Sequence, residues 1–398
     1  MSKTDSGMQL SAPSGTKSAE SRLPSLTGMR SAAAGLVFFF HVAASGLWAP
    51  SHPATLFERA AGGGAVGVSF FFVLSGFVLT WSARPGDTAD RFWRRRLVKI
   101  YPNYVVAWGL ALAGLLVAGR RVGLPAALAN LFLVQSWWPG HDVYFGVNSV
   151  SWSLSCEAFF YLLFPWILPI LSRVRRMRTA AAICAAAVLS VPVVILLLPA
   201  DLRYWTFYIF PPVRLLEFIL GMALALIVKN GQWPRIPVWP VALLLLAAYA
   251  AVPYFPVDAQ PVAVTLVPFA LLIPTVAAAD AAGRRSLWAT RAAVWLGEVS
   301  FAFYLVHETV ITAVVKELHA HGSGPGKAAA VTLVALVLST ALAAALHRYV
   351  EQPMMRRYGR SRPPARHRVG DPRTRPQPTE EGSSVGPGPD PDAVQVVQ

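Results

Sequence analysis

Acidic residues are scarce in this chain. Twenty Asp and Glu stand against 35 Lys and Arg, and charged residues of both signs fill only 14% of the 398 positions. A soluble globular protein carries about 25% charged residues, so the shortage argues against soluble domains, although the length would permit two or three. Cysteine is nearly absent. Cys156 and Cys184 both fall in apolar runs, which excludes a disulfide framework and offers no metal-ligand spacing. No internal repeat is evident. The formal net charge of +15 would admit a nucleic-acid partner in a soluble protein. Here the cations are interleaved with apolar segments, and retention of Lys and Arg on the cytoplasmic side of a membrane explains them.

Hydrophobic residues, by contrast, make up 55% of the chain. Apolar runs recur from residue 31 to residue 346, each near the ~20 residues that a bilayer crossing needs. The expected fold is an all-α polytopic membrane protein with about ten transmembrane helices, at 28–48, 65–82, 102–118, 151–171, 179–198, 208–228, 238–253, 261–279, 292–316 and 328–347. Residues 1–23 and 359–398 read as disordered cytoplasmic tails too polar to build a core, with one membrane domain over 24–358. Leu36–Phe40 and the small residues after it resemble a signal peptide. Some thirty mostly polar residues precede them, so the segment reads as a retained first span. Leu124–Trp138 is short and reads as partly inserted or interfacial.

Loop charge sets the orientation. With both termini cytoplasmic, 22 Lys and Arg up to Tyr358 fall on the cytoplasmic side and five on the other. That asymmetry predicts a multi-pass protein of the plasma or inner membrane with both ends inside. Trp137, Trp138, Trp152, Trp205, Trp239 and Trp288 near predicted span ends fit an aromatic belt.

A few ionisable residues interrupt the apolar runs. Arg30 and His41 are eleven residues apart, almost three helical turns, so both lie on one helix face about 16 Å apart along the axis. Polar groups at membrane depth face a partner or a watery cavity. His41 is a general-base candidate or a structural histidine bridging helices. Ser75-Gly76 in the second span serves close packing or a ligand contact. Arg91–Tyr101 gathers Arg94, Arg95, Arg96 and Lys99 just before Pro102, which is expected to open the next helix. Such an array holds phosphates or anionic lipid head groups. Glu157 enters the fourth span, where an unpaired carboxylate is costly, and is expected to pair with a cation or orient a histidine. Arg214 and Glu217 are spaced to pair with each other. His307 and Glu308 form a second histidine–acid site in the ninth span.

In order, the chain carries Leu26-Thr27-Gly28-Met29-Arg30…His41, Phe70–Phe77 (FFFVLSGF), Arg94–Pro102 (RRRLVKIYP), Ser151–Glu157 (SWSLSCE), Leu296–His307 and Val350–Pro353. This series resembles the acyltransferase-3 family of membrane O-acyltransferases over residues 24–358. Thr27 and Ser69 stand where many members have Asp, and the extracellular hydrolase-like domain fused to some members is absent. The resemblance implies a ten-helix enzyme that transfers an acyl group, commonly from acyl-CoA, to a hydroxyl. It makes His41 the catalytic base, Arg30 its aligned partner, and Arg94, Arg95, Arg96 and Lys99 the donor-binding mouth. From their own places in the chain, Glu157 is expected to join the catalytic group, Tyr101 the donor mouth, and Ser75, His307 and Glu308 the substrate contacts. No metal and no permanently bound cofactor is expected. The expected partners are acyl-CoA, a hydroxylated acceptor and the bilayer, with no nucleic acid. The acceptor is expected to be a sugar or macrolide-type natural product, with a surface polysaccharide as the alternative. A transporter using the same residues as a polar pathway is the competing class; no matched pair of Gly/Pro-broken spans supports it.

Overall fold

The computed structural model describes residues 23–84, 86–173, 177–255 and 264–358. The tail expected at 359–398 lies outside these residues, as does the one at 1–23 apart from Leu23. Within them the chain is helical, with no strand. Seven principal helices carry the argument: α1 (Pro24–Ala44), α2 (Gly67–Ser82), α3 (Ala89–Val117), α4 (Trp152–Arg173), α5 (Pro211–Lys229), α6 (Arg291–Glu317) and α7 (Pro325–Leu346).

Each belongs to a helical stretch long and apolar enough to cross a membrane, and these are the seven such stretches among the described residues. Val238–Tyr254 and Leu266–Ala281 are apolar but shorter, at 10–17 residues, and a further helix runs over Met177–Leu197. Among the described residues seven stretches thus meet the length criterion, against the ten expected. At 1.5 Å per residue a 16-residue helix rises only about 24 Å, short of a ~30 Å hydrocarbon layer. The outward faces suit lipid: Leu116, Val117, Leu196 and Leu246 are more than 60% exposed. The protein is a multi-pass membrane protein.

Small residues decide which helices adjoin. At Gly76 of α2 a side chain would overlap the Phe218 carbonyl of α5, and at Gly221 of α5 one would overlap the Val73 carbonyl of α2. Gly28 of α1 meets the Trp288 carbonyl, and Gly297 of α6 meets that of Thr27. Backbones approach this closely only where no Cβ intervenes. A closed polar cluster also ties α2 to α5. Arg214 Nη1 lies 3.1 Å from Glu217 Oε1, Arg214 Nη2 donates to Ser69 Oγ at 3.0 Å, and the guanidinium packs over the rings of Phe72 and Tyr208. Ser69, one of the departures from the family pattern, supplies that hydroxyl.

One element departs from expectation. Helix α3 runs continuously through Pro102 instead of starting there. A mid-helix proline forfeits one backbone hydrogen bond, yet the turns on both sides continue. The basic run therefore occupies the first turns of a helix, not a loop, and its cations point in different directions.

Candidate active site

Helical spacing distributes the cations of α3. Arg96 and Lys99, at i and i+3, line a cavity of about 130 Å³ together with Arg30, Ser75, Glu157 and Tyr161. Arg95, rotated away, pairs with Asp87 in the loop before the helix; its Nη1 donates to Asp87 Oδ1 at 2.9 Å. That contact holds the Asp87 carboxyl below its ordinary range. Arg94 and Tyr101 line an adjoining cavity that shares Arg96, Glu157 and Tyr161 with the first. Within the basic cavity, Tyr161 Oη donates to Glu157 Oε2 at 2.8 Å and lies 3.2 Å from Ser75 Oγ. Glu157 thus lines the cavity that Arg30, Arg96 and Lys99 also line, and not that of His41, with the Tyr161 hydroxyl as its hydrogen-bond donor. Ser75 faces the cavity while its neighbour Gly76 packs, so the two readings of that dipeptide divide between its residues.

His41 lines a different cavity, of about 330 Å³, with Glu308, His141, Ser149, Trp152, Tyr204, Tyr208 and Tyr304. Its Nε2 is 3.9 Å from Glu308 Oε2, at side-chain exposures of 20% and 31%. Its Nδ1 lies 2.8 Å from the Val37 carbonyl and 3.2 Å from His307 Nε2. Ser149 Oγ donates to Glu308. His307 itself is fully buried behind His41 and lines none of these cavities.

Arg30 and His41 share a helix but not a chamber. Eleven residues of rise separate them, and Val68 and Tyr304, the two residues common to both cavities, stand between the chambers. Tyr304 is held there by its hydroxyl, 3.1 Å from the Val150 carbonyl and 2.9 Å from Ser153 Oγ. Reasoning from the sequence passed over Val68, Tyr161 and Tyr304. Signals for the two tyrosines existed: Tyr161 follows Glu157 by four residues, and Tyr304 precedes His307 by three, so each shares a helix face with a residue already singled out. A third polar group lies near the basic end, where Asn103 Nδ2 donates to Glu351 Oε2 at 3.0 Å and His347 Nδ1 lies 3.2 Å from the same oxygen.

Cations lining a cavity, a histidine–acid pair and two touching cavities inside a helical membrane bundle define a membrane-embedded enzyme rather than a packing scaffold. The chain belongs to the acyltransferase-3 family: the family's profile, described as an acyltransferase domain, matches residues 23–348. It is 41% identical over 367 residues to acyltransferase MdmB of Streptomyces mycarofaciens, covering 86% of this chain and 94% of that protein. It is 30% identical over 311 residues to exopolysaccharide production protein ExoZ of Rhizobium meliloti, covering 75% and 92%. O-acetyltransferase OatA of Staphylococcus aureus matches at 28% over 166 residues, 37% of this chain and 25% of that protein. No solved structure matches significantly. The protein is an acyltransferase, which sets the transporter reading aside.

Proposed function

We propose that the enzyme moves an acyl group from acyl-CoA, bound at the basic chamber, to an acceptor hydroxyl bound beside His41. The observation that carries this reading is the contact of the two chambers at Val68 and Tyr304, with cations on one side and the imidazole on the other. Coenzyme A is polyanionic, and Arg96, Lys99 and Arg30 offer charge-assisted contacts to its phosphates, with Arg94 and Tyr101 at the adjoining entrance. The thin pantetheine arm then delivers the thioester to the partition. His41 Nε2 removes the hydroxyl proton as the oxygen attacks the thioester carbonyl. The C–O bond forms, the C–S bond breaks, and the departing thiolate takes the proton back from His41. The excess of Lys and Arg at this end supports a cytoplasmic donor mouth and cytoplasmic termini.

For the acceptor we favour a sugar or macrolide-type natural product. The aromatic walls at Trp152, Tyr204 and Tyr208 suit a ring face, and Glu308 suits a hydroxyl. A neighbouring cavity of about 440 Å³ shares Phe40, Ala65, Tyr204 and Tyr208 with the His41 chamber, giving room for a bulky remainder. A surface polysaccharide is the second reading, favoured by the near full-length match to ExoZ. Thiol release from acetyl-CoA by purified protein, measured with macrolide glycosides and with oligosaccharides, separates the two. His41→Ala should lower turnover by about 10²–10⁴-fold, the usual contribution of a general base. Full activity in a folded His41→Ala protein would overturn the assignment.

A further inference from the structure

We propose that His307 is a positioning residue: it holds His41 in the one tautomer whose cavity-facing nitrogen carries a lone pair. The inference rests on the reading of His41 as the base.

His307 has no access to solvent. Its ring stacks on Phe303 at 5.7 Å and lies 6.4 Å from Phe38, so both nitrogens must find partners within the protein. Nδ1 faces two carbonyl oxygens, Tyr304 O at 2.8 Å and Phe303 O at 3.3 Å. A carbonyl only accepts, so this nitrogen carries the hydrogen. A neutral imidazole has one N–H, which leaves a lone pair on Nε2. That lone pair meets His41 Nδ1 at 3.2 Å, so His41 Nδ1 must donate. The Val37 carbonyl, 2.8 Å from the same atom, imposes the same requirement independently. Two acceptors thus converge on His41 Nδ1, and the lone pair of His41 falls on Nε2, the nitrogen on the Glu308 side.

The arrangement matters during turnover as well as at rest. When Nε2 takes the acceptor's proton, the positive charge spreads to Nδ1–H, which points at the His307 lone pair. The proton then leaves from Nε2 to the thiolate, and His307 neither gains nor loses one. A carboxylate in its place would be an ion buried among rings, which is expensive at membrane depth; a neutral ring orients without that cost. Flipping the His41 ring would give up both acceptors. The groups facing His41 are Glu308, His307 and Tyr304 from α6, His141 from the helix His141–Tyr144, and Tyr204 and Tyr208 from the segment before α5. Glu58 and Arg59 face the neighbouring cavity.

The test compares His307→Leu, which keeps bulk without an acceptor, with His307→Gln, whose side-chain oxygen accepts. Both are made in the full-length protein in lipid nanodiscs. In His307→Leu, kcat should fall by about 10²-fold, the lower end of what acid–base catalysis contributes, with both KM values nearly unchanged. Its acidic kcat limb should move to lower pH, because the imidazolium loses its acceptor and is less favoured. His307→Gln should recover most of both. Nitrogen-15 NMR of histidine-labelled protein supplies a readout independent of activity. The signal lost in His41→Ala should report an Nδ1–H tautomer in the wild type and a smaller excess of that tautomer in His307→Leu, where the Val37 carbonyl alone remains as acceptor. The proposal is overturned by an Nε2–H tautomer in the wild type, by an unmoved pH profile in His307→Leu, or by a change confined to KM. If His307→Leu does not fold, the wild-type tautomer and His307→Gln still decide. An active His41→Ala enzyme would sink the base assignment instead, and the two failures are told apart.

Discussion

Two polar clusters are buried in this bundle, and they differ in one respect. Arg214, Glu217 and Ser69 close on themselves, with the two charged side chains 0% and 1% exposed. His41, His307 and Glu308 also lie within apolar helices, yet two of the three open onto a cavity at 20% and 31% exposure. Burial of charge costs the same kind of energy in both places. The closed cluster faces no cavity, and its Arg214–Ser69 hydrogen bond joins α2 to α5. The open one presents Nε2 and a carboxylate oxygen to a cavity that something other than protein can enter. Chemistry is therefore read from access to a cavity, not from the presence of ionisable residues.

That contrast can be broken most forcefully at the closed cluster. Arg214→Met leaves Glu217 buried without its cation, which costs about 3–5 kcal/mol. The variant should lose most of its folded yield, scored by monodisperse elution and thermal melting. Arg214→Met combined with Glu217→Leu should restore folding, since no charge is then stranded. If the single variant melts like the wild type, the cluster is not what joins the helices. A smaller effect should separate the cations of α3. A hydrogen bond to a charged group contributes about 1.5–3 kcal/mol, so Arg96→Gln or Lys99→Gln should raise the KM for acyl-CoA by about 10-fold or more. Arg95→Gln, whose partner is Asp87, should change it by less than about two-fold. Equal effects at all three would return the run to topology or lipid binding.

The smallest effect concerns that loop pair. Arg95 depresses the Asp87 carboxyl, so its folded value lies below the ~3.9 of the unfolded chain. The resulting stabilisation is complete above the unfolded value and disappears as pH falls through the folded one. For a part-buried pair at the protein surface it amounts to about 0.2–1 kcal/mol. Asp87→Asn should thus melt slightly below the wild type at pH 7, with the gap closing under acid. A gap that widens under acid would contradict the pairing.

What was legible in the chain follows from the range of each interaction. Arg30 and His41 could be placed on one face because helical phase depends only on spacing, and Arg214 with Glu217 for the same reason. The apolar runs located every principal helix, and two further runs, Val238–Tyr254 and Leu266–Ala281, form shorter apolar helices. His307, 266 positions from His41, could be marked as unusual but not as its neighbour. Which helices adjoin is set by Gly28 meeting the Trp288 carbonyl and Gly297 meeting that of Thr27, a fit invisible to periodicity. Glu157 had two plausible partners for the same reason, and only packing placed it in the basic cavity beside Tyr161. Pro102 misled because a single residue's preference yielded to the helical turns on both sides.

The partition of Val68 and Tyr304 has one more consequence. Two chambers that touch inside a membrane bundle would form a path for protons if they merged, and a membrane that leaks protons loses its gradient. One isopropyl group and one tethered phenol ring stand between them. Any substitution that enlarges this waist should be judged by the voltage it costs the cell as well as by the ester it makes.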